Sequence, residues 1–145
     1  MDNAGIINLG NRAVTAALTD EVITSDTASD GSTQEFVGDL EGMASATIQA
    51  KFEYGSGGTT CLVIIQTTIN QGGDWIDVAR FDFATEDAVK TVNLSAAAAA
   101  AIASVAALGS ESKIDGVLGD RLRAKITSTG TYAGGTQVSV RASVR

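Results

Sequence analysis

The side chains able to do chemistry are few. The 145-residue chain has no histidine and a single cysteine, Cys61. Without histidine, Ser-His-Asp and Cys-His nucleophilic systems cannot be assembled, and the commonest metal ligand is missing. A structural zinc site needs several Cys or His ligands, which Cys61 alone cannot supply. What remains is carboxylate chemistry and one indole. Asp74, Asp77 and Asp82 flank Trp75. Glycoside hydrolysis would need two acids facing each other across a cleft, and nothing in the sequence points to one. Trp75 beside Asp74 and Asp77 could form a sugar-stacking platform, but an aromatic at a strand position fits the core first. Asp26-Thr27-Ala28-Ser29-Asp30-Gly31 begins like a calcium loop, yet Ala28 stands where the middle acid belongs and Val37 where Glu belongs. It reads as a polar loop. The inventory implies a protein that is not an enzyme and uses no cofactor or metal.

Cys61 sits among Thr60, Leu62, Val63 and Ile64, the setting of a small buried hydrophobe rather than a reactive thiol. The net charge is −7, which argues against general nucleic-acid binding, since that needs a basic footprint. The charge is uneven. Through Thr60, nine acids face two bases; from Ser110 onward, three acids face six bases. That polarity suits complementary contacts between molecules. Met1-Asp2-Asn3 lacks the basic start of a signal peptide, and no apolar run reaches the roughly 20 residues of a membrane span. The expectation is synthesis in a cytoplasm and no membrane partner.

The elements that would position these residues are mostly strands. Ala44, Ala46, Ile48, Ala50, Phe52 and Tyr54 alternate with polar residues, the period of a half-buried strand. Gly55-Ser56-Gly57-Gly58 turns, and Thr59 to Thr68 runs back with apolar residues on both faces, as a central strand does. Asn70-Gln71-Gly72-Gly73 turns again before Trp75 to Phe83, so three strands are expected as a meander. The apolar face of the last strand switches sides near Asp77 to Ala79, which predicts a β-bulge. Ser95, the alanines from Ala96 to Ala101, and Gly109 predict a short helix over 96–107. A further strand is expected near Val117. Leu122, Ala124 and Ile126, then Val138, Val140, Ala142 and Val144, alternate with polar residues and predict a closing hairpin with its basic residues on one face. Residues 1–19 read as an extended N-terminal arm and 20–145 as the domain. The predicted fold is all-β: a single β-sandwich, jelly-roll-like or immunoglobulin-like, with one short Ala-rich helix.

Ile65-Gln66-Thr67-Thr68-Ile69-Asn70-Gln71-Gly72-Gly73-Asp74-Trp75-Ile76-Asp77-Val78-Ala79-Arg80-Phe81 resembles a pattern in small structural proteins of tailed bacteriophages. There a Gln-containing strand leads through a Gly-Gly turn to a Trp strand ending in Ala-x-Phe. Asp120-Arg121-Leu122-Arg123-Ala124-Lys125-Ile126-Thr127-Ser128-Thr129-Gly130-Thr131-Tyr132-Ala133-Gly134-Gly135-Thr136 is similar to their closing hairpin. The group named by this resemblance is the capsid decoration, or cement, proteins. It implies a β-sandwich on the virion exterior, bound to the major capsid protein and self-associating as a dimer or trimer. The residues it would use for the capsid or subunit interface are Ile6, Ile7, Leu9 and Arg12 on the arm, with Arg121, Arg123 and Arg141. Two alternatives stand beside it: a tail, neck or fibre component, and a carbohydrate-binding module built on Trp75.

Overall fold

The computed structural model describes residues 5–23, 43–97 and 106–145. The regular secondary structure of the described residues is nearly all strand. In order these are β1 (Gly5–Ala13), β2 (Glu21–Val22), β3 (Ser45–Glu53), β4 (Ser56–Gly57), β5 (Thr60–Thr68), β6 (Ile76–Phe83), β7 (Ala88–Ser95), β8 (Arg121–Thr129), β9 (Tyr132–Ala133) and β10 (Gln137–Val144). They pair into two four-stranded antiparallel sheets. The first has the order β1-β10-β3-β7 and the second β2-β8-β5-β6; β4 and β9 form a two-residue ladder between them.

Alternation decides what lies inside. On β3 the inward set is Ala46, Ile48, Ala50 and Phe52; on β10 it is Val138, Val140, Ala142 and Val144; on β8 it is Leu122, Ala124, Ile126 and Ser128. With Val63 and Ile65 of β5 they make one buried cluster fed by both sheets. The bulge expected near Asp77 is present. Ile65 pairs with Ala79 but Gln66 with Asp77, leaving Val78 as the extra residue, and Val78 and Ala79 are both buried. Cys61 is buried as expected, and burial pushes its thiol up to about 12. A thiol reagent is therefore expected to leave the folded protein unmodified and to react fully once urea unfolds it. Stoichiometric labelling at native conditions would contradict this placement.

Several expectations are corrected. The arm over 1–19 is not separate from residue 5 onward. Gly5–Ala13 pairs with β10 along its length, with a bulge between Asn8 and Gly10 where Gly10 has a φ of 126°. Leu9, Val14 and Leu18 are buried in the common core. The partner strand lies more than 100 residues away in sequence, so no local turn announced it. The meander holds only in its second half: β5 and β6 pair across the turn at 70–73, but β3 lies in the first sheet. β8 and β10 are likewise in different sheets rather than in a hairpin. In both places a short segment, β4 or β9, carries the chain across, helped by positive φ at Gly57, Gly58, Gly134 and Gly135. Residues 117–120 are irregular and the strand starts only at Arg121. Residues 98–105, the middle of the expected helix, and the Asp26–Gly31 stretch lie outside the described residues; Ala96, Ala97 and 106–109 on either side are not helical.

The segment 108–116 straps the open side between β6 and β7. On the β6 side, Arg80 N–H donates to Ser112 O (2.9 Å) and Ile114 N–H to Val78 O (3.0 Å). On the β7 side, Gly116 N–H donates to Ser95 O (2.7 Å), Ser95 N–H to the Asp115 carboxylate (3.0 Å) and Lys113 Nζ to Asn93 O (2.6 Å). Side-chain ties complete it. The Arg80 guanidinium donates to Asp82 at 2.8 Å and to Leu108 O at 2.9 Å, Ser110 donates to Asp82 at 2.6 Å, and Lys90 pairs with Glu111. Burial pushes the Asp82 carboxyl up, but Arg80, Ser110 and Lys90 together outweigh it and hold it below the ordinary carboxylate value. A depressed carboxyl stabilises the fold above its unfolded pKa, and that contribution is lost as pH falls through the folded value. Urea midpoints below about pH 4 are thus expected to fall faster with pH in the wild type than in Asp82→Asn. Parallel curves would show that Asp82 does not help hold the strap.

Candidate partner-binding surface

Strand register defines two ends. At one, Phe52, Phe83, Tyr54 and Tyr132 form an aromatic cluster, with Phe52 and Phe83 stacked at 5.1 Å and Phe52 edge-on to Tyr132 at 5.7 Å. At the other, β1 and β8 begin and β5 and β10 end. Ile6 pairs with Ser143 there, and Thr68 with Arg121. This second end carries Ile6, 76% exposed, and Ile69, 69% exposed.

Ile69 leaves β5 into a turn held from within. The buried Thr68 hydroxyl accepts from Gly72 N–H (2.9 Å) and donates to Asn70 Oδ1 (3.0 Å). Asn70 Oδ1 also accepts from Asp74 N–H (2.8 Å), and Asn70 Nδ2 donates to the Asp74 carboxylate (2.8 Å). Gln71 and Gly72 take positive φ, 62° and 90°. Arg121 Nη1 ties the turn to β8 by donating to Gln71 O at 2.9 Å. Beneath it, Gly119 N–H donates to the Thr67 hydroxyl (2.9 Å), and a Cβ on Gly119 would lie 1.6 Å from Thr68 O. Only glycine fits there. A turn ordered in advance loses little entropy when a partner seats on it.

The outer face of the second sheet continues from this turn. Arg123 Nε donates to Gln66 Oε1 (2.7 Å), and Gln66 Nε2 donates to Asp77 Oδ1 (2.6 Å). The Arg123 guanidinium lies 4.1 Å over the Trp75 ring, a stacking arginine suits well. Trp75 is therefore half-buried on the outer face, not a core residue; the inward positions nearby are filled by Ile65 and Val78. One face of the indole is taken by Arg123. The three carboxylates singled out in the sequence each serve a neighbour: Asp74 the turn, Asp77 Gln66, and Asp82 the strap.

The seven expected interface residues do not share one face. Arg121 and Arg123 lie on the second sheet with Lys125, which is 3.4 Å from Asp20. Arg141 lies on the first sheet and is held by Asn8 (2.7 Å) and Asn11 (3.1 Å). Arg12 is half-buried and 2.7 Å from Glu21. Ile7 packs partly against the core, and Leu9 is inside it, so Leu9 cannot meet a partner. Ile6 and Arg121 lie at the same end of their strands but on the outer faces of different sheets, and the unforeseen Ile69 lies in the turn that Arg121 ties to β8. Among the described residues, no group of three or more His, Cys, Asp or Glu is placed to hold a metal ion, and no helix is long and apolar enough to cross a membrane. Comparison with protein-family models, curated proteins and solved structures finds no match.

Proposed function

We propose that the protein is a virion structural protein of the capsid-decoration class, a single jelly-roll-like or immunoglobulin-like β-sandwich. It binds the major capsid protein on the outside of the shell and associates with copies of itself. The observation that carries this reading is Ile69, exposed on a turn that is fixed before binding and tied to β8 by Arg121. The resemblance supports it in a specific way. The two sequence segments that resemble phage structural proteins, 65–81 and 120–136, supply the end of β5, most of β6 and all of β8, which are neighbours in one sheet. Segments some 40 residues apart thus build one continuous surface. Burial of Ile69, with Ile6 exposed at the same end of the first sheet, supplies affinity, and Arg121 beside the turn supplies register and orientation. With Arg123 covering one face of Trp75, a protein contact is favoured over a sugar platform.

Heads purified free of tails decide between the head and tail forms of this reading. The protein is expected to co-purify with them; finding it only on tailed particles would move it to the tail or neck.

A further inference from the structure

Among the described residues, four strands form the edges of the two large sheets, and β7 is the informative one. Its register with β3 pairs Ala88 with Phe52 and Lys90 with Ala50, and Ala96 N–H donates to Ala44 O. Even-numbered residues of β7 therefore bond β3, and odd-numbered ones turn their N–H and C=O outward. The outward groups of Asn93 and Ser95 are taken by Lys113, Asp115 and Gly116. Among the described residues, nothing bonds the outward groups of Val89 and Thr91. The open stretch thus runs from the turn residue Asp87 to Thr91, and its middle residue is Val89, whose side chain is 56% exposed. A cleft of about 560 Å³ lined by Lys51, Tyr54 and Val89 runs beside it.

We propose that β7 pairs antiparallel with β7 of a second copy of this chain, on a two-fold axis through Val89. A longer extended partner would run into Lys113 and Asp115 of the strap, whereas a copy presents an edge of the same short length. The register is selected by charge. An axis at Lys90 would set two ammonium groups directly opposite each other, which is unfavourable. An axis at Val89 sets Lys90 against Ala88 and Thr91 against Asp87. Val89 then exchanges both backbone bonds with Val89 of the other copy, and each exposed valine covers its equivalent. The first sheets of the two copies become one continuous sheet. This contact supplies a surface for self-association and is independent of shell binding, since it is measured on the isolated protein.

Sedimentation equilibrium of the wild type is expected to show a dimer. Thr91→Pro removes an outward N–H and no bond to β3, a substitution an edge strand tolerates. It should weaken the dimer about tenfold or more with thermal stability retained. Val89→Cys should form an intermolecular disulfide on mild oxidation, because hydrogen-bonded antiparallel partners lie about 5.5 Å apart at Cα. A wild type that is monomeric at the highest soluble concentration overturns the proposal. So does a dimer in which Val89→Cys stays reduced, which is the deciding result should Thr91→Pro fail to fold.

Discussion

Tyr132→Ala is expected to lower the unfolding free energy by about 3–5 kcal/mol, close to the limit for a single aromatic truncation. Tyr132 is 1% exposed and sits where the two sheets, the β4–β9 ladder and the β6–β7 turn meet. Its ring is edge-on to both Phe52 and Tyr54, and its hydroxyl donates to Ala84 O at 2.7 Å. Truncation leaves a cavity among aromatic rings that cannot collapse without moving both sheets. Tyr132→Phe removes only the hydroxyl and should cost about 1 kcal/mol. Gly58→Ala attacks the same cluster from the other side. Gly58 has a φ of 72°, and a Cβ there would lie 2.2 Å from the Tyr132 ring. Urea unfolding followed by Trp75 fluorescence gives all three values, read as midpoint shifts at constant slope. A loss below about 1 kcal/mol for Tyr132→Ala would show that this end is not the clasp of the two sheets.

The second large effect is on binding. Ile69→Asp should reduce shell affinity by roughly 30-fold or more, the loss of about 2 kcal/mol typical of an anchor side chain. Stability should hardly change, because the Ile69 side chain is mostly exposed and the turn is held by Thr68 and Asn70 rather than by Ile69. Ile6→Asp should act in the same direction. Ile6 lies at the start of β1, where its neighbour Ser143 is polar. Binding that survives both substitutions would return these isoleucines to the ordinary scatter of surface apolar residues.

What the sequence disclosed followed local pattern. Alternation on β3, β8 and β10 named the inward residues correctly, and the switch of apolar face near Asp77 foretold the bulge at Val78. Pairing was not legible, because it is a long-range choice. β1 looked like an arm because β10 lies at the far end of the chain, and β8 with β10 looked like a hairpin because the crossing is made by two residues of β9. β7 carries no clean alternation in sequence. Its inward set, Ala88, Lys90, Val92 and Leu94, is broken by a lysine whose ammonium reaches Asp82 O and Glu111 across the open side and lies 5.1 Å from the Phe83 ring. The size of Trp75 favours burial at a core position. The guanidinium of Arg123 supplies that burial on the outside instead, from a strand nearly 50 residues later. Arg121 and Arg123 were legible from their alternation with Leu122 and Ala124. Ile69 was not, since one exposed residue after a strand has no pattern to betray it.

The most direct test of shell binding is co-sedimentation of the purified protein with heads stripped of their decoration, comparing wild type with Ile69→Asp. The wild type should bind saturably at a fixed number of copies per shell, and Ile69→Asp, equally stable, should stay in the supernatant. Absence of wild-type binding, or equal binding by the variant, would contradict the account.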